Sequence, residues 1–220
     1  MDRISELPDC VLTYILSMLP IKDLLKTSVL STRWWNLWLL RRDLNFDIVN
    51  MFGSNEKTPA KYERVLIDLK RTEFVQRVNQ FIQKFNTTKI DSLRVAYYLT
   101  TGQSSSIDRW ISFAITRGVE RIDLRFKGYD GVTSAQEPYV FPLLILSKSG
   151  ASTLKHMHMQ SCILPNPPAN FSAVPFRNLR SLVLDHVHVS QDLITSLLSE
   201  CVLLEELFAG FSSDACRTDG

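Results

Sequence analysis

Residues 109–126 read RWISFAITRGVERIDLRF. In the first half, Trp110, Ile111, Ala114 and Ile115 recur at i, i+1, i+4 and i+5, which is one face of a helix. Gly118 stands where glycine supplies the left-handed residue that ends such a helix. The second half, Val119-x-x-Ile122-x-Leu124, finishes on the period of two that marks a strand. A helix, a glycine and a strand make one structural unit, so the fold depends on whether that unit recurs.

It does. The pattern LxxLxL fits Ile90-Leu93-Val95, Val119-Ile122-Leu124, Leu154-Met157-Met159 and Leu179-Leu182-Leu184, and loosely Leu204-Leu207-Ala209, with starts separated by 29, 35, 25 and 25 residues. That is the period of irregular leucine-rich repeats, in which each unit gives one strand of a curved parallel sheet. A helix capped by Ser106 precedes the second strand, and Ser190 to Cys201 forms another, with Leu193, Ile194, Leu197 and Leu198 facing inward. Upstream, Asn50 to Lys61 is polar and reads as a loop. Glu63 to Phe85 carries Leu66, Leu69, Phe74, Val78, Phe81, Ile82 and Phe85 at near-helical spacing, as one helix or two broken near Thr72.

The first 45 residues have a different character. Val11, Leu12, Ile15, Leu16 and Leu19 form one broad helical face, ended by Pro20. Asp23 to Leu30 repeats the pattern in miniature, and Ser31 is placed to cap a third short helix carrying Trp34, Trp35, Leu37 and Trp38. So small a module buries little of its own surface. Its surplus of large apolar side chains either packs on the rest of the chain or forms a surface for a partner.

Composition narrows the function classes. The net charge is +2, far from the basic footprint of a nucleic-acid binder. No apolar run reaches the length that spans a bilayer. The start, MDRISELPD, lacks the apolar region of a secretory signal, so a cytoplasmic or nuclear location is expected. Cys10, Cys162, Cys201 and Cys216 form no CxxC, which points away from a disulfide framework or a zinc ribbon; the first three read as buried thiols.

The stretch DRISELPDCVLTYILSMLPIKDLLKTSVLSTRWWNLW, Asp2 to Trp38, closely resembles an F-box, in the form found in plant proteins that join an F-box to leucine-rich repeats. The LPD opening, the ILSMLP helix end and the SxRWxxLW ending carry the match. SECVLLEEL at residues 199–207 resembles the family's repeat ending, with Val202 where a proline is often found, and residues 109–126 are typical of it. The resemblance implies a small three-helix F-box followed by a leucine-rich-repeat solenoid, an α+β or α/β architecture. It divides the chain into an F-box over 1–45, a connecting loop and helical segment over 46–88, repeats over 89–210 and a polar tail over 211–220. It also implies docking on a Skp1-type adaptor, and through it a cullin, by Leu7, Pro8, Leu12, Ile15, Leu16, Leu19, Leu24, Leu25, Val29 and Trp34. The repeats would then hold a protein substrate of a ubiquitin ligase, with no catalysis in this chain. The alternative is an interaction protein outside any ligase, which binds or competes for the adaptor without delivering a substrate. Similar proteins continue through further repeats and an FBD region. The short ending GFSSDACRTDG therefore raises the expectation of a truncated product with poorly folded terminal repeats.

Period two also assigns an open face to the repeat strands. It receives Ser92, Arg94 and Ala96; Arg121, Asp123 and Arg125; His156, His158 and Gln160; Ser181, Val183 and Asp185; and Glu206 and Phe208. Such a face suits protein or small-ligand recognition, or is an ordinary solvated surface. Within it, Arg121 and Arg125 are able to grip a carboxylate or phosphate. His156-x-His158 and His186-x-His188 invite a zinc site, but their registers disagree and no carboxylate pair completes one. No nucleophile elbow or Gly-rich phosphate loop is present, and no cofactor is expected.

Overall fold

The computed structural model describes residues 4, 6–27, 33–34, 37, 41–53, 64–85, 87–126, 137–148, 152–166 and 176–210. Helix α1 spans Asp9–Ser17 and α2 spans Ile21–Thr27. Pro20 separates them as its sequence requires, and its carbonyl starts α2 by accepting from the amides of Asp23 and Leu24 at 2.9 Å each. Of the third helix expected after Ser31, Arg33, Trp34 and Leu37 are helical, while Ser31, Trp35 and Trp38 lie outside the described residues.

The main sheet contains six parallel strands in sequential order: β1 (Asp43–Asp47), β2 (Ser92–Tyr97), β3 (Arg121–Phe126), β5 (His156–Gln160), β7 (Ser181–Asp185) and β9 (Glu206–Gly210). The register never slips. Leu44, Leu93, Ile122, Met157, Leu182 and Leu207 lie side by side in one row, and Phe46, Val95, Leu124, Met159, Leu184 and Ala209 in the next. Parallel strands need crossovers, and the crossovers carry the helices. These are α3 (Ile48–Phe52), α4 (Arg64–Lys84), α5 (Ser104–Ile115), α6 (Leu143–Lys148) and α7 (Gln191–Glu200). A second, three-stranded parallel sheet, β4 (Tyr139–Val140), β6 (Cys162–Leu164) and β8 (His188–Val189), follows the turns after the main strands. This is an α/β repeat fold, as the repeating LxxLxL implies.

Local chemistry explains the boundaries. Thr100 and Gln103 form a capping box ahead of a single 3-10 turn, Thr101–Gln103, so α5 begins at Ser104. Ser106, expected as the cap, is instead a buried residue inside the helix. Gly118 has φ +70° and ends the helix: its N–H donates to Ile115 at 3.0 Å, while Val119 donates to Ala114 at 3.2 Å. Helix α4 is unbroken at Thr72 and buries Ile67, Phe74, Val78, Phe81 and Ile82. Leu69, assigned inward from its spacing, is 66% exposed, and Arg71 takes an inward position. The Arg71 guanidinium remains satisfied there, with Tyr98 C=O at 2.6 Å and Asp68 Oδ1 at 2.7 Å. Leu198, also read as inward, is 52% exposed, and α7 buries Leu193 and Leu197.

Strand β1 was not among the five repeat strands read from the sequence. Its first consensus position holds Arg41, so the pattern is broken where a search for LxxLxL begins. Arg41 is accommodated by donating Nε to Asp43 C=O at 2.8 Å and Nη1 to Leu19 C=O at 3.3 Å. Burial lowers its pKa, opposed by the nearby carboxylates of Asp43 and Asp47. The supposed loop after it begins instead with α3, capped by Asp47 through the Asn50 amide and burying Met51 and Phe52.

One continuous core joins these parts. Leu12, Leu16, Ile21, Leu24 and Leu37 belong to the same cluster as Leu44, Phe46 and the sheet leucines. An aromatic group, in which Phe74 stacks on Tyr97 at 4.3 Å and Phe46 meets Phe81 edge-on at 5.6 Å, fills the space beneath β1 and β2. Lys22 Nζ donates to Phe52 C=O at 2.6 Å, which ties α2 to α3. The helical start is therefore packed onto the sheet as part of one body.

At the other end the burial pattern fails. Leu207 occupies the row in which Leu44, Leu93, Ile122, Met157 and Leu182 are 0–3% exposed, yet it is 39% exposed. Residues 211–220, read as a polar tail, lie outside the described residues.

Candidate interaction surfaces

Two surfaces emerge, one on α1 and one on the open face of the sheet. Successive residues of a helix turn by about 100°. Leu12 and Leu16 point one way, into the core at 1% and 2% exposure. Val11, Tyr14, Ile15 and Met18 fall on a neighbouring stripe and are 40%, 67%, 37% and 70% exposed. Ile4, at 51%, extends the apolar surface. Arg33 fixes the start of α1, pairing with Asp9 Oδ1 at 2.5 Å and with Leu7 C=O at 2.7 Å.

The residues named for adaptor docking therefore divide. Leu12, Leu16 and Leu24 are buried in the chain's own core, and in this conformation they support the surface without touching a partner. Ile15 and Pro8 are exposed, while Leu7, Leu19 and Trp34 pack on the edge of the core and remain half-buried. Val29 and the side chain of Leu25 lie outside the described residues. Sequence reasoning treated the whole apolar width of α1 as one face. It therefore missed Val11, Tyr14 and Met18 as the exposed stripe, although their i, i+3, i+7 spacing was there to be read.

On the open face, register gathers the predicted side chains into three rows. Ser92, Arg121, His156, Ser181 and Glu206 form the first, with Asp43 of β1 added. Asn45, Arg94, Asp123, His158, Val183 and Phe208 form the second. Asp47, Ala96, Arg125, Gln160, Asp185 and Gly210 form the third. All the face residues chosen from the period of two share this side. Asp43, Asn45 and Asp47 were missed with β1.

At the centre, Asp123 is only 14% exposed and collects three partners. Arg125 Nε lies at 2.8 Å, His158 Nδ1 at 3.4 Å and Arg94 Nε at 3.5 Å. Burial pushes the His158 pKa down, against the opposing pull of Asp123 and with a further push from Arg125. A second group lies at Asp185, whose Oδ2 accepts from Gln160 Nε2 at 2.7 Å and whose Oδ1 meets His186 Nδ1 at 2.6 Å. His186 has φ +51° at the turn after β7, and His188 lies on β8 of the second sheet, whereas His156 and His158 lie on β5 of the main sheet. Among the described residues no group of three His, Cys, Asp or Glu side chains is placed to hold a metal ion. Cys162, the first residue of β6, is fully buried, and desolvation pushes its thiol up to about 12. Cys10, expected to be buried, is exposed.

A parallel, in-register repeat sheet with helices on its crossovers, joined to a short helical module bearing an apolar stripe, defines an F-box protein with leucine-rich repeats. The chain belongs to that family: residues 82–210 match the family described as the At1g61320/AtMIF1 LRR domain, and residues 4–42 match the F-box domain. Among relatives in Arabidopsis thaliana, it is 31% identical to F-box/LRR-repeat protein At3g26922 over 94% of this chain and 58% of that protein. It is 29% identical to FBD-associated F-box protein At5g22730, over 94% of this chain and 39% of the relative. It is also 29% identical to F-box/FBD/LRR-repeat protein At2g04230, over 97% of this chain and 43% of the relative. The chain thus spans between about two fifths and three fifths of the length of these relatives.

Proposed function

We propose that this chain recruits a protein substrate to a cullin-based ubiquitin ligase, with the F-box docking on a Skp1-type adaptor and the open face of the repeats holding the target. The observation that carries the reading is the apolar stripe of Val11, Tyr14, Ile15 and Met18, exposed on a helix whose adjoining face, Leu12 and Leu16, is locked into the core. Contiguous exposed apolar surface on a folded protein marks an interface. The shared core supports the mechanism: a module packed rigidly against the repeats fixes the distance between adaptor and target, so ligation is accelerated by proximity. In this reading the chain contributes no catalytic group and needs no cofactor, and it works in the cytoplasm or nucleus.

The test is co-purification of the full chain with a Skp1-type adaptor and a cullin, followed by ubiquitination of any captured target. Both should depend on the α1 stripe, and modification of the target should in addition depend on the open face. Adaptor binding without cullin or target modification would favour the rival reading, an interaction protein outside the ligase. No adaptor binding by a folded chain would sink both.

A further inference from the structure

Three arginines stand on adjacent strands of the open face: Arg94 on β2, and Arg121 and Arg125 on β3. Among the described residues, Arg125 uses Nε alone, on Asp123. Arg94 Nε reaches Asp123 only at 3.5 Å and, although buried, makes no hydrogen bond. Arg121 is exposed. Beside Arg94 in the same row, Asn45 Oδ1 is also buried without a hydrogen bond. An unused buried donor and an unused buried acceptor thus lie on neighbouring strands, in a fold where such atoms are normally paired.

We propose that these residues recognise a short acidic segment of a protein target, with two or three consecutive Asp or Glu residues lying across β2 and β3. The proposal deepens the reading of the repeats as the target-binding half and rests on it. One aspartate against three arginines leaves an excess of two positive charges. Asp123 holds Arg125 in place through the 2.8 Å hydrogen bond, so that side chain loses little freedom on binding. Arg121 and Arg125 are four residues apart on one strand, about 13 Å. That span favours separate carboxylates, each met by a guanidinium fork, over a single phosphate.

The neighbouring strands set the length. Asp43 and Asp47 lie one strand away on β1, and Asp185 lies two strands beyond β3 on β7. At about 4.8 Å per strand, the positive band is bounded by like charges within about 5 Å on one side and 10 Å on the other. From β1 to β7 is four strand spacings, about 19 Å, so an acidic run of six extended residues, at about 3.3 Å each, would reach the aspartates at both edges, while two or three residues stay clear of them. Longer acidic runs would meet the aspartates, so the segment's flanks should be neutral or basic.

The test uses the full chain and a fluorescein-labelled hexapeptide with two central glutamates flanked by glycine and serine, read by anisotropy. Saturable binding is expected, weakened by salt and reduced about tenfold in each of Arg94→Gln and Arg125→Gln. Arg109→Gln, an exposed arginine on α5, should leave it unchanged. Thermal unfolding of each variant shows that the fold is retained. Equal binding of a two-lysine peptide, equal loss in Arg109→Gln, undiminished binding in both face variants, or no binding by a folded chain would each overturn the proposal. Displacement by inorganic phosphate at lower concentration than by glutarate would overturn the carboxylate assignment. Adaptor titration on the same samples separates the readings: adaptor binding without peptide binding defeats this inference alone, and the reverse defeats the ligase role alone.

Discussion

Met18→Lys should abolish most adaptor binding and leave the fold intact. Met18 follows α1 and is 70% exposed in the free chain. Full burial of a methionine side chain is worth about 1.5–3 kcal/mol, so docking gains roughly 1–2 kcal/mol from the part still in water. A lysine forfeits that gain and must also desolvate an ammonium, which brings the loss to about 2–3 kcal/mol, or roughly 30- to 150-fold in affinity. Stability should stay within about 0.5 kcal/mol, because the position is on the surface and a cation suits a helix C-terminus. Leu16→Asp is the contrast. Leu16 is 2% exposed, so the change leaves a cavity and places a carboxylate in the core, at a cost above about 3 kcal/mol and several degrees in Tm. Calorimetry against a Skp1-type adaptor, run beside thermal unfolding, checks both. Undiminished binding by Met18→Lys, or melting as early as Leu16→Asp, would refute the division of α1 into a core face and a docking stripe.

Gly118→Ala should destabilise the chain by about 1–2 kcal/mol in denaturant titration. The cost is conformational, since φ is +70° while the nearest atom to an added Cβ, Thr153 Cγ2, is at a comfortable 3.8 Å. Asn79→Ala should cost about 1–3 kcal/mol, because Trp110 is fully buried and its indole N–H donates to Asn79 Oδ1 at 2.8 Å. The His158 pKa is depressed, so below about pH 6.5 the unfolded chain binds a proton that the folded chain resists. This contribution to stability is complete above that pH and is lost as the pH falls through it toward the folded value. The Tm of the wild type should therefore drop more steeply between pH 7 and 5 than that of His158→Gln, and parallel curves would contradict the burial of this histidine.

The repeat architecture was legible because its signal is local and periodic. In LxxLxL, the three apolar positions report a strand and its approach whatever lies beyond, and the five main-sheet strands β2, β3, β5, β7 and β9 stand where that pattern puts them. The open face was equally legible, since alternation alone decides which side a strand residue takes. Strand β1 escaped for a local reason: Arg41 breaks the consensus, and only its bonds to Leu19 and Asp43 reveal how a charge is tolerated at that position.

The sequence by itself determined the class of fold, the F-box at its start and the set of residues on the sheet's outer side, because each is written in a period or a contiguous motif. Tertiary structure alone decided which apolar residues of α1 are core and which are surface, and that Asp123 gathers Arg94, Arg125 and His158 from three strands. Hydrophobicity is the same for Leu16 and Met18 whichever way they point. Burial is set by what packs against them, and those neighbours come from distant parts of the chain.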